Sequence, residues 1–144
     1  MTHPDPKTGK ITINVTKELV KFILLALVSL LSPIMTFAAN DVPKITVGEL
    51  KAKMDRHERF VLLDVREPIE HATSRIPGSK LIPLGELPKR LKELNPNDEI
   101  VLHCRSGRRS AQALRILQKA GFKKVWNLQG GISEWTVHGK PAVP

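Results

Sequence analysis

One segment of the chain gathers what nucleophilic chemistry needs: Cys104-Arg105-Ser106-Gly107-Arg108-Arg109-Ser110. The thiolate, not the thiol, is the nucleophile, and nearby positive charge favours it. Arg105, Arg108 and Arg109 crowd Cys104 with three cations. The run from Glu99 to His103 reads as a strand, and Ser110 onward reads as a helix. A loop between a strand and a helix can turn several N–H groups inward, and the helix dipole adds partial positive charge. The same donors would hold a small sulfur or phosphorus oxyanion. Gly107 gives the loop backbone conformations closed to other residues, and Ser110 is placed to cap the helix. The competing reading is a buried, inert cysteine beside a solvated basic loop, but an inert thiol has no need of such cationic surroundings.

The elements that must position this loop alternate along the chain. Thr46-Val47-Gly48-Glu49 is a capping box, with Val47, Leu50 and Met54 on one helical face after it. Phe60 to Leu63 is a short apolar run ending in Asp64-Val65-Arg66, the pattern of a buried strand. Ile76-Pro77-Gly78-Ser79 is a turn before the short strand at Leu81-Ile82. Leu84, Leu87, Leu91 and Leu94 recur at helical spacing, with Pro88 in the first turn. In the helix after the basic loop, Ala113, Ile116, Leu117 and Ala120 share a face, and Gly121 ends it. Lys124 to Leu128 reads as a further strand, and Gly130-Gly131 precedes a last helix near Ile132 to Val137. Strands separated by helices imply an α/β fold, a parallel sheet with helices on both faces. Ligands of such sheets collect at the carboxyl ends of the strands, where Cys104 stands.

Other residues are expected to be structural. Alternation along the strand points His103 away from Cys104, so it supports the loop from below. Asp64 and Arg66 form a loop-tying ion pair. His57 and His71 are surface residues, and Trp126 and Trp135 pack in the core. Lys89, Arg90 and Lys92 make a solvated helix face. One cysteine in 144 residues excludes a disulfide framework and any cysteine-rich zinc site. The net charge is +9, from 23 Lys and Arg against 14 Asp and Glu. Such a balance suits an anionic partner, but aromatics at 4% and no reader motif argue against nucleic acid.

Residues 1–38 read as a secretory signal peptide. Phe22 to Ala39 carries no charge, Lys17 and Lys21 precede it, and Thr36 and Ala38 suit a cut after Ala38. The alternative is an uncleaved membrane anchor through residues 22–39. Either places the domain outside the cytoplasm, periplasmic or secreted. Residues 39–43 form a linker and 44–144 the domain. The segment 1–38 holds four lysines against Asp5 and Glu18, so +7 of the net charge belongs to residues 39–144. In an oxidising compartment a lone reactive thiol is open to mixed disulfides, so its resting state depends on turnover or on a thiol reductant.

Five blocks in order carry a family resemblance: Leu63 to Pro68, Arg75 to Ser79, Leu81 to Leu84, Cys104 to Ser110, and Asn127 to Trp135. Across residues 44–138 the chain resembles the rhodanese family of single-domain sulfurtransferases. It is also similar, from Ile76 to Leu94, to the rhodanese modules fused to ubiquitin-like-protein activating enzymes. The resemblance implies a doubly wound sheet of five parallel strands and sulfur transfer through a Cys104 persulfide. Arg105, Ser106, Gly107, Arg108 and Arg109 would cradle the persulfide and a small anionic donor such as thiosulfate. Asp64, Arg66 and Ser110 would support the loop. The acceptor would be cyanide or a thiol, and no metal or organic cofactor is implied. Cysteine phosphatases and arsenate reductases of related fold place an Arg six residues after the Cys, where this chain has Ser110. A nucleophile misplaced by about 1 Å can cost on the order of a hundredfold in rate, which favours sulfur transfer. A non-catalytic binding module of the same fold usually lacks the cysteine.

Overall fold

A computed structural model describes residues 42–138 and 140–144 of the chain. The signal or anchor segment and the linker up to Asp41 lie outside the described residues. Among the described residues five short strands form one parallel sheet: β1 (Lys44–Ile45), β2 (Val61–Asp64), β3 (Lys80–Leu81), β4 (Ile100–His103) and β5 (Val125–Leu128). Their order across the sheet is β1-β5-β4-β2-β3. β4 is central, with Leu63 opposite Leu102 on one side and Asn127 opposite Leu102 on the other. All four residues of β4 are buried, as a strand covered on both faces requires.

Alternation along the strands sends neighbouring side chains into two separate cores. Leu63, Ile100 and Leu102 pack on one face against α3 (Leu87–Arg90) and α4 (Arg108–Lys119), meeting Leu87, Ala113, Leu114 and Leu117. Leu62, Val101 and Leu128 pack on the other against α1 (Val47–Asp55) and α5 (Gly131–Val137), meeting Leu50, Ile132 and Trp135. A fifth helix, α2 (Pro68–Thr73), buries none of its residues fully. The α/β reading and the five-stranded parallel sheet therefore stand.

Local rules explain most boundaries. The Thr46 hydroxyl accepts from the Glu49 N–H at 3.2 Å, and the Glu49 carboxylate accepts from the Thr46 N–H at 2.8 Å, closing the capping box that starts α1. Three expectations need correction. The leucine repeat from Leu84 gives only the one-turn α3 followed by a 3-10 turn at Leu91–Glu93, because Pro83 and Gly85 lie in the turn that precedes it and Asn95-Pro96 soon stops it. Ser110 is not a cap, since α4 already begins at Arg108 and Gly107 holds the N-cap position. Trp126 is 37% exposed on the outer side of β5, whereas Trp135 is 1% exposed and donates its indole N–H to the Pro141 carbonyl at 2.9 Å.

The C-terminal residues close on the segment after α2, where Arg75 and Val143 exchange backbone hydrogen bonds of 2.7 and 2.9 Å in a bridge outside the sheet. Leu114 is fully buried between α4 and the sheet. Leu114→Ala is expected to lower unfolding stability by about 2–5 kcal/mol in denaturant titration, through lost transfer energy and the cavity left behind.

Candidate active site

Cys104 follows the last residue of β4 and is 1% exposed. The loop of residues 105–107 wraps its sulfur. The Gly107 N–H donates to Sγ at 3.1 Å, and the Ser110 hydroxyl donates to it at 3.4 Å. Two opposed effects set the ionisation of the thiol. Burial pushes its pKa up. The Ser110 hydroxyl and the backbone N–H groups of Ser110, Ser106 and Gly107 pull it down, and the net result lies below the ordinary thiol value. A negative charge on sulfur is thus matched by donors fixed in place before any ligand arrives.

Two glycines make that wrapping possible. Gly107 sits at φ +94°, left-handed backbone that side-chain-bearing residues rarely adopt, and this turn aims its N–H at Sγ. Its carbonyl accepts from the Asn127 side-chain amide at 3.0 Å, so β5 holds the loop from the neighbouring strand. Gly131 opens α5, which packs directly on the loop. A Cβ there would stand 2.4 Å from the Cys104 carbonyl and 2.7 Å from the Arg105 carbonyl. Those two carbonyls instead accept from the N–H groups of Ile132 at 2.9 Å and Ser133 at 3.1 Å.

The arginines divide. Arg109 is half-buried and grips Glu70 of α2 with two parallel hydrogen bonds of 2.7 and 2.8 Å. Arg109 holds the Glu70 carboxyl down to about 2. Glu70 in return raises the pKa of Arg109, and the nearby Cys104 sulfur adds to that effect. Arg105 and Arg108 are exposed. Arg105 lines a cavity of about 410 Å³ together with Arg66, Ile69, Glu70, Ser133 and Thr136. Glu70 escapes the sequence reading altogether. Its signals are Pro68, which favours a helix start, and its place three residues after Glu67, whose N–H donates to the Glu70 carboxylate at 3.0 Å.

Beneath the loop lies a buried charge cluster. Asp64 ends β2 and receives the Arg66 guanidinium at 2.6 Å, the Arg66 backbone N–H at 3.0 Å and His71 Nδ1 at 2.9 Å. Arg66 also donates to the Ser74 carbonyl at 2.7 Å, tying the residues after α2 to the strand end. Burial alone would raise the Asp64 pKa, but Arg66 and His71 hold it below the usual carboxylate range. His71 is therefore a half-buried partner of Asp64 and not the surface residue its sequence context implies. His57 is exposed. His103 is fully buried, and neither ring nitrogen has a hydrogen-bond partner among the described residues. Burial pushes its pKa down to about 4, so at neutral pH it is an uncharged ring.

Two measurements check these electrostatics. Ser110→Ala removes a donor to a charged group, so the alkylation rate of Cys104 should reach its plateau at higher pH and fall on the order of tenfold below it. The Glu70 carboxyl has a folded pKa of about 2 against an ordinary 4.5. Its contribution to stability is complete above pH 4.5 and is lost as the pH falls towards 2. Glu70→Gln should flatten that part of the stability profile in denaturant titrations across the acid range.

The chain is similar to known proteins in sequence and in fold. A model of the rhodanese-like domain matches residues 46–138. "Putative sulfur carrier protein YrkF" of Bacillus subtilis (strain 168) is 49% identical over 98 residues, covering 68% of this chain and 53% of that protein. The chain thus spans about half the length of that relative. A protein named "Sulfurtransferase" from Allochromatium vinosum is 37% identical over 102 residues, covering 71% of this chain and 95% of its own. Among solved structures, the rhodanese-related protein of Thermoplasma volcanium superposes with a TM-score of 0.64 at 32% identity, covering 70% of this chain and 97% of that one. With a matched segment running from the cap of α1 to the end of α5, the chain belongs to the rhodanese-like domain family.

Proposed function

We propose that the protein is a sulfurtransferase that carries sulfane sulfur as a persulfide on Cys104. The observation that carries this reading is the sulfur's setting: a buried Sγ that accepts hydrogen bonds from Gly107 and Ser110, with its pKa lowered. Sulfurtransferase and sulfur-carrier relatives support the same reaction class.

The reaction with thiosulfate proceeds in two displacements. The Cys104 thiolate attacks the outer, sulfane sulfur, and the S–S bond of thiosulfate breaks with its electron pair leaving on sulfite. The product is a cysteine persulfide anion. Its terminal sulfur is then attacked by cyanide, giving thiocyanate, or by a thiolate, giving a small persulfide, and the Cys104 thiolate returns. No proton needs to be removed from Cys104 once it is ionised, which leaves no task for the uncharged His103. Arg105, Ser106, Gly107, Arg108 and Arg109 surround the donor and the persulfide, with Arg109 oriented by Glu70. Asp64 and Arg66 tie β2 to the residues after α2, whose Glu70 holds Arg109, and Ser110 binds the sulfur directly. The apolar run through residues 22–39 supports placing this activity outside the cytoplasm.

Phosphate-ester chemistry is the weaker alternative, since Ser110 occupies the sixth position after Cys104 and its hydroxyl is turned onto the sulfur. Incubation of the protein with thiosulfate should add the mass of one sulfur atom, and cyanide should remove it as thiocyanate. Cys104→Ser should abolish both. Hydrolysis of aryl phosphates without any sulfur gain would reverse the assignment.

A further inference from the structure

The charge of the domain is not spread evenly. Residues 42–99 hold eleven Lys and Arg against ten Asp and Glu. From Ile100 to Ser133 there are seven Lys and Arg and no carboxylate side chain at all. In the first part most cations have partners, such as Lys53 with Glu58 and Glu99, and Arg90 with Glu86 and Glu93. In the second part Arg109 is bound to Glu70, while Arg105, Arg108, Arg115, Lys119, Lys123 and Lys124 have no carboxylate within 4.0 Å among the described residues.

Helical geometry lines these charges up. Arg108, Gln112, Arg115 and Lys119 follow at intervals of four, three and four, which is one face of α4, and all are exposed. The opposite face buries Ser110, Ala113, Leu114 and Leu117. The turn after α4 adds exposed Lys123 and Lys124. From Arg108 to Lys119 the stripe is about 16 Å long at 1.5 Å per residue. Its head is the active-site loop itself. There a cavity of about 350 Å³ opens between Lys44, Ser106, Gly107, Arg108, Ala111 and Gly130.

The geometry points to a docking surface for an acidic protein segment that bears the acceptor thiol. Unopposed positive charge along α4 complements carboxylates and speeds encounter with them. The stripe begins at Arg108, within four residues of Cys104, so a chain lying along it brings its end to the loop that wraps the sulfur. An anionic bilayer or a nucleic acid would match the charge but brings no nucleophile to take the sulfur. The identity of the acceptor rests on the sulfur-transfer reading; the docking surface is tested separately from it.

The probe is a ten-residue synthetic peptide with one terminal Cys and four spaced Glu, long enough at about 33 Å to span the stripe. Its control carries four Lys instead. Persulfide-loaded full-length protein should pass sulfur to the Glu peptide at least about tenfold faster than to the Lys peptide at low ionic strength, and added salt should erode the difference. Arg115→Glu with Lys119→Glu should abolish the preference while thiosulfate-to-cyanide turnover stays within about twofold, which also shows that the variant folds. Equal rates for the two peptides, or a preference that survives the double reversal, would overturn the proposal. So would salt-sensitive binding to phosphatidylglycerol vesicles or to an oligonucleotide with no discrimination between peptides. Binding of fluorescent Cys→Ser peptides by anisotropy decides the docking surface even without sulfur. If no persulfide forms, the catalytic reading falls, and selective binding of the Glu peptide still upholds the surface.

Discussion

Everything at the site turns on the conflict between burying a sulfur and charging it. Cys104 is almost wholly removed from water, which by itself favours the neutral thiol. The ionised form is favoured only because hydrogen-bond donors replace the lost water. Those donors come from the turn at Gly107 and the first turn of α4, so they exist only in the folded loop. A persulfide would inherit the same setting, since its charge also sits on sulfur near the same N–H groups. The donors are thus the Ser110 hydroxyl and, beside it, backbone N–H groups aimed by the turn of the loop. Side chains such as Asn127 and Glu70 act by holding that geometry and the Arg109 guanidinium in place.

The layers beneath the loop serve the same end by different means. Asp64 with Arg66 and His71 forms a satisfied charge cluster that ties the end of β2 to the residues around α2. α2 in turn carries Glu70 and so fixes Arg109. A chain of contacts thus runs from a buried strand end to a guanidinium near the Cys104 sulfur. His103 lies apart from it in function. Its ring fills space next to Asp64, at 3.8 Å from the carboxylate, and it is uncharged at neutral pH.

The sheet, the strand-to-helix junction and the place of the cysteine at that junction are legible in the sequence because each follows from local rules. Apolar runs bounded by turn residues mark β2, β4 and β5, and a cysteine among arginines and a glycine marks the loop. The features that stay hidden depend on partners distant in sequence. Glu70 and Arg109 are 39 positions apart, and nothing in either segment names the other. His71 looks like a surface residue because its burial is decided by its contact with Asp64 at the end of β2. Trp126 looks like core because aromatic residues usually are, yet β5 lies between β4 and the two-residue β1, so its outer side is thinly covered. Ser110 stands out in the sequence, but for the wrong bond: a hydroxyl near a helix start is ordinarily a cap, and only the left-handed turn at Gly107 moves it to the sulfur.

The packing of α5 on the loop has a consequence for how the molecule comes into being. The carbonyls of Cys104 and Arg105 are anchored by residues 132 and 133, and β5, which braces Gly107 through Asn127, emerges between them in time. A growing or threading polypeptide therefore exposes its cysteine well before the parts that sharpen it have been made. Until the last helix arrives, the carbonyls of Cys104 and Arg105 lack the amide partners they have in the finished domain, so the pocket around the sulfur is among the last parts to be braced.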